Sequence, residues 1–323
     1  MRLILVLLAV AFLWVPRKSI AANPAFTFAS AAQAKAILTA CDEFVQRMSP
    51  FDRGARLKTD ADVNEAAYLA FAGAQATTWS DAEKAPVQAV LADLNPRLAV
   101  LPLPWPATVL IVKTTGQEEG GAPYTRANAI ILPEGTLKRA TKAELQAILT
   151  HELFHILSRK NPALKEKLYA AIGFKPCGEV PFPTLLKSRK ITNPDAPKND
   201  HCIRVSFAGE PAWAIPLLFA SSERYSPERG GEFFAYLEFS FLRIEGGDEE
   251  PPAKATYDNQ QLQLVPPQAI IGFTEQVGRN TEYIIHPEEI LADNFSLLIA
   301  QDKAVTSPDV LRKIQAVLVA AKP

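Results

Sequence analysis

Histidine is scarce in this chain, and two of its four copies stand four residues apart: His151 and His155 in His151-Glu152-Leu153-Phe154-His155, with His201 and His286 elsewhere. On a helix, residues i and i+4 share a face, so two imidazoles at this spacing can bind one metal ion, and the Glu beside the first His can reach a water on that metal. Zinc is the usual occupant of such a site. The competing structural reading is a pair of helix histidines satisfied by neighbouring carbonyls.

A catalytic zinc needs a third protein ligand and one open position. The metzincin extension of the motif is excluded, because Ser158 and Asn161 stand where its Gly and third His would be. The ligand must come from elsewhere, and the stretch from Tyr283 to Asn294 offers carboxylates on an expected helix. Glu289 and Asp293 are four apart and share a face, so one can ligate while the other orients a ligand histidine. Glu288 points about 100° away from Glu289 and has Ala292, not an acid, four residues on. It reads best as a solvated acidic first turn favoured by the helix dipole. His286, just before that helix, could be a ligand, a transition-state donor or a loop residue.

On these residues the chain resembles the gluzincins, the thermolysin-like zinc metallopeptidases, whose pattern is HExxH on one helix and Glu-x-x-x-Asp on a second. The stretch from His286 to Asn294 is similar to that of secreted bacterial proteins of this group. The resemblance implies that His151, His155 and Glu289 hold zinc, that Glu152 is the general base and that Asp293 buttresses a ligand His. The tetrahedral oxyanion formed in peptide hydrolysis wants a donor beside the metal. The late His that thermolysin-like enzymes use has no counterpart after His286, leaving Tyr283, His286, His201, Tyr257 and Arg279 as candidates on chemistry, with Tyr283 and His286 placed with Glu152 in the catalytic set. The 133 residues between His155 and Glu289 suggest an inserted β-rich segment. In zincins the strand before the active-site helix is an exposed sheet edge that pairs with extended substrate, and the alternation over 127–132 suits that role. The implied function is an exported zinc metallopeptidase acting on peptides or proteins. A zincin-fold cell-envelope binding protein without turnover is the alternative.

The elements that must position these residues can be read from caps and periodicity. Thr141-Lys142-Ala143-Glu144 is a capping box opening a helix to about Arg159, stopped by Pro162. Helices are expected over 30–48, 61–77, from Ser80, over 163–171, 287–301 and 308–320, with Cys41 buried in the first. The Pro-rich stretch from Asn95-Pro96 to Pro106 ends the third helix as a rigid connector. Strands are expected over 108–112 and 124–132, and a hairpin from 233–244 and 261–265; 176–197 reads mostly as loop. The fold class is α+β: a zincin-like core with an active-site helix, a small mixed sheet, extra N-terminal helices and the inserted β-rich segment. The expected organisation is 1–22, 23–106 as a helical region and 107–323 as the metallopeptidase domain.

Composition narrows the partners. With 34 Lys+Arg against 35 Asp+Glu over 323 residues, no basic excess recommends nucleic acid. Met1-Arg2, the apolar run Leu3 to Val15 and Ser19-Ile20-Ala21-Ala22 read as a secretory signal peptide, with an uncleaved membrane anchor as the alternative. Outside the cytoplasm thiols can oxidise, so Cys177 and Cys202 are candidates for a disulfide stapling the loop that carries His201.

Overall fold

A computed structural model of the chain describes residues 23–101, 103–247, 253–258 and 261–321. The expected leader, 1–22, lies outside the described residues. The chain is a mixture of helices and sheets, consistent with the α+β class.

Four strands form the sheet beside the HExxH helix: β1 (Ala25–Phe28), β2 (Thr108–Thr114), β3 (Tyr124–Arg126) and β4 (Ala129–Pro133), in the order β1-β2-β4-β3. β1, β2 and β4 are parallel, and β3 returns antiparallel to β4. The single strand expected over 124–132 is therefore a hairpin. Ala127, at φ 52°, takes the left-handed conformation that reverses the chain. This corrects the expectation for the sheet edge as well. β4 has neighbours on both sides and all five of its residues are buried, so the outer strand is β3.

Local polar residues break the N-terminal helices where periodicity alone joined them. The expected helix over 30–48 is two: Ala31–Leu38, opened by a Ser30/Gln33 capping box, and Glu43–Arg47, capped by the Asp42 side chain. Cys41 lies in the break between them and is exposed, not buried in a helix as expected. A further helix, Pro50–Arg56, opens on a Ser49/Asp52 capping box that the pattern reading passed over. Glu65–Ala74 falls within the expected 61–77, while Asp81–Ala99 runs on through Pro96 instead of ending there. β1 ties this N-terminal region into the same sheet as β2, and Val90, Leu94 and Leu98 enter the main core.

Between the two halves of the motif lies an antiparallel sheet of seven strands: β5 (Phe174–Pro176), β6 (His201–Phe207), β7 (Glu210–Ala220), β8 (Leu237–Glu245), β9 (Lys254–Ala255), and, past a separate two-stranded ribbon of β10 (Tyr257–Asp258) and β11 (Gln261–Leu262), β12 (Leu264–Val265) and β13 (Ile270–Ile271). The expected hairpin of 233–244 with 261–265 forms only in part: Leu264–Val265 pair with β8, but Gln261–Leu262 pair with β10, the strand that follows β8 and pairs with it is β9, and 233–236 is a 3₁₀ turn. The β6–β7 hairpin was not expected. Ala208 and Gly209, both at positive φ, make its two-residue turn.

Two buried helices carry the chemistry. Lys142–Lys160 opens on the Thr141 capping box, Thr141 Oγ1 accepting from Glu144 N and Glu144 Oε2 accepting from Thr141 N. Its Leu145, Leu149, Leu153, Phe154, Ile156 and Leu157 are buried in the main core, which makes it a core helix rather than an amphipathic surface one. Pro287–Ala300 packs across it. Phe154 meets Phe295 with ring centroids 5.6 Å apart, and the Ser296 hydroxyl donates to the Ala147 carbonyl at 2.9 Å. These contacts fix the sliding and rotation of one helix against the other, hence which side chains face.

Candidate metal centre

At the crossing, His151 Nε2 lies 3.0 Å and His155 Nε2 3.5 Å from Glu289 Oε2. One ligand atom from each of the three residues falls within 4.8 Å of the others, a separation that shared coordination could close. The structure thus brings together the two histidines and the carboxylate that the sequence pattern singled out. Each histidine presents Nε2 because its Nδ1 is engaged from behind. His151 Nδ1 meets Asp293 Oδ1 at 2.8 Å, and His155 Nδ1 meets Glu288 Oε1 at 3.3 Å. A carboxylate at Nδ1 selects the tautomer that protonates Nδ1 and leaves the Nε2 lone pair toward the cluster. Glu289 has its own partner, since Asn193 Nδ2 donates to its Oε1 at 2.5 Å and leaves Oε2 to the histidines. His155 Nε2 is buried and makes no hydrogen bond. A buried nitrogen lone pair aimed at a second imidazole and a carboxylate suits a cation, which tests the donor set on this chain's own geometry.

No protein-family model, curated protein or solved structure corresponds to this chain.

Electrostatics follows from burial. Burial disfavours an imidazolium at His151, but the hydrogen bonds to Asp293 and Glu289 outweigh it and raise its pKa to about 10. His155 is also driven upward against burial, by Asp195, Glu289 and Glu288. Glu289 goes the other way: burial opposes its charge, and the two histidines hold it well below the usual carboxylate range.

Glu152 projects from the same helix toward this cluster. Its carboxylate groups with His155 and Asp195, and its Oε2 is buried without a hydrogen-bond partner. Burial first and the Asp195 charge second raise its pKa to about 8. Tyr283 stacks beside His151 with ring centroids 6.4 Å apart, half open to solvent, on a loop pinned to the second helix by the Thr281 hydroxyl, which donates to Asp293.

Two expected roles change. Glu288 is buried, not a solvated first-turn acid. Besides His155, it accepts from the Ser158 hydroxyl at 2.9 Å and the Tyr169 hydroxyl at 2.6 Å. His286 has no nitrogen left for substrate or metal. It is the N-cap of the second helix: Nδ1 accepts the Glu288 N–H at 3.1 Å, and Nε2 donates to the Lys198 carbonyl at 3.1 Å. Burial lowers its pKa to about 4, in keeping with a neutral ring. Of the other donor candidates, His201 starts β6 between Asp200 and Glu166, Tyr257 lies exposed on β10, and Arg279 donates to Thr274. Sequence reasoning missed Asn193, Asp195, Ser158, Tyr169 and Thr281. Only Ser158, three residues after His155 on one helical face, carried a local signal.

Cys177 and Cys202 are neighbours. Both are buried thiols and not joined in the expected disulfide, with Cys177 Sγ donating to the Gly178 carbonyl at 3.5 Å and the Cys177 N–H to the Asp200 carbonyl at 2.8 Å.

Proposed function

We propose that the chain is an exported zinc-dependent metallopeptidase. The observation that carries this reading is the convergence of His151 Nε2, His155 Nε2 and Glu289 Oε2, each backed by its own outer partner, beside the Glu152 carboxylate, whose Oε2 is buried without a hydrogen-bond partner. Zinc held by these three residues would supply Lewis acidity to a scissile carbonyl and lower the pKa of a water. Glu152 takes the proton from the attacking water and returns it to the leaving amine. Its raised pKa in the metal-free protein marks a buried carboxylate able to hold that proton. Tyr283, beside His151 and open to solvent, offers its hydroxyl to the developing oxyanion. The leader pattern in 1–22 supports export.

The test uses purified mature protein. It should carry about one zinc per chain, and Glu152→Gln should keep the zinc while peptide hydrolysis falls by about a hundredfold or more, the scale of a lost general base. Hydrolysis surviving in Glu152→Gln would remove the base assignment. Zinc without turnover in the wild-type protein would favour the binding-protein alternative.

A further inference from the structure

Residues 193–197 cross the mouth of the centre, and what they hold is what an incoming peptide would need. β3 is the outer strand of its sheet, and its Thr125 N–H donates to Asp195 Oδ1 at 2.8 Å, while the Thr125 hydroxyl donates to the same oxygen. An extended chain adding to this edge would require that N–H. Asp195 N–H donates to Asn193 Oδ1 at 2.9 Å, closing an Asn-Pro-Asp turn whose Asn193 amide already touches Glu289. The Asp195 carboxylate also clusters with Glu152 and His155. Arg159 braces the arrangement, donating to Thr125 Oγ1 at 2.8 Å and to the Asp195 carbonyl at 3.4 Å.

Two cavities flank this segment. One, of about 360 Å³, includes Arg126, Arg159 and Tyr169 in its wall; the other, of about 140 Å³, includes Phe233, Phe234 and Tyr283. Pro194 and Asp195 line both, so the segment is the partition between them. Its ends are anchored: Thr192 N–H donates to the buried Asp52 carboxylate at 3.0 Å, and Asn199 Nδ2 to the Pro216 carbonyl at 3.1 Å.

We propose that residues 193–197 are a built-in strap that closes the centre to extended polypeptide, and that Asp195 is its fastening to the sheet edge. Substrate gains the Thr125 N–H only when Asp195 releases it, and the same movement withdraws Asn193 and Asp195 from Glu289, His155 and Glu152. This rests on the metallopeptidase reading above.

The test uses the zinc-loaded Glu152→Gln protein, which cannot turn over, and a peptide hydroxamate as probe. Calorimetry should give about tenfold tighter hydroxamate binding once Asp195→Ala is added, because a closed majority state weakens apparent affinity by the fraction that is open. Hydrogen exchange on the Glu152→Gln protein should show the Asp195 N–H, bonded to Asn193 Oδ1, losing protection when the hydroxamate binds. Equal or weaker affinity in the double variant, or protection that is kept, overturns the strap and leaves the zinc reading standing. If the Glu152→Gln protein binds neither zinc nor hydroxamate, both fall. Should the Asp195 variant not fold, hydrogen exchange on the Glu152→Gln parent decides alone.

Discussion

His151 and His155 are turned toward Glu289 by different acids, and this makes single residues testable apart from the ligands. Glu288 holds His155 Nδ1 from a buried position shared with Ser158 and Tyr169. Glu288→Gln keeps the shape and two hydroxyl contacts but loses the charge that fixes the ring, so zinc affinity should fall by about 10- to 100-fold, read by competition with a chromophoric chelator. An unchanged affinity would reduce Glu288 to a packing residue. His286 makes a pH prediction. Its pKa is lowered to about 4 from 6.5, so its contribution to stability is present above pH 6.5 and is lost as pH falls through 4. Protonation also destroys the Nδ1 acceptor that caps the helix carrying Glu289. The melting temperature should therefore drop between pH 6.5 and 4 more steeply in the wild type than in His286→Asn, whose amide caps without titrating. Parallel pH profiles for the two proteins would refute this.

At the scale of elements, β5 and β6 set up a staple. In the antiparallel register Lys175 pairs with Cys202 and Pro176 with His201, so Cys177 falls opposite Asp200 and diagonally across from Cys202 on the same face, where both thiols are buried. After export into an oxidising compartment, only Cys41 should titrate with a thiol reagent in denaturant, and Cys177→Ser/Cys202→Ser should lose about 3 kcal/mol, the chain-entropy worth of such a loop. Three titrating thiols in protein from that compartment would count against the bridge. The staple would enclose the strap residues Asn193 and Asp195, which no local pattern revealed. What could be read from sequence were elements defined by short-range rules: the Thr141 capping box, Pro162 as a stop, and Pro287 opening the second helix. The Glu289/Asp293 pair was legible for the same reason, since i,i+4 spacing is local. Glu288 was misread because its fate depends on Tyr169 and Ser158, residues from two other helices or turns that burial alone brings near. The β6–β7 hairpin was missed because its turn rests on Ala208 at positive φ, a conformation that alanine does not advertise.

For the whole molecule, the centre joins parts of the chain far apart in sequence: His151 and Glu289 are 138 residues apart, with the seven-stranded sheet lying between them. Both helices belong to one core that also takes in the N-terminal helix Asp81–Ala99 and strands from both large sheets. A metal bound at their crossing therefore acts on global unfolding, not on a detachable part. The centre gathers Glu152, Asp195, Glu288, Glu289 and Asp293 around the two imidazoles. Zinc that binds the folded chain and not the unfolded one, free at a thousandfold over its dissociation constant, would stabilise the fold by about 4 kcal/mol. With an unfolding entropy of about 2.1 cal/mol/K per residue over roughly 300 residues, that amounts to about 6 °C in melting temperature. Chelation should lower the melting temperature by this amount in a single transition, added zinc should restore it, and His155→Ala should melt at one temperature with or without chelator. A melting temperature indifferent to chelation in the wild type would mean that the buried histidines and acids are held by their protons alone, and would withdraw the metal from the centre.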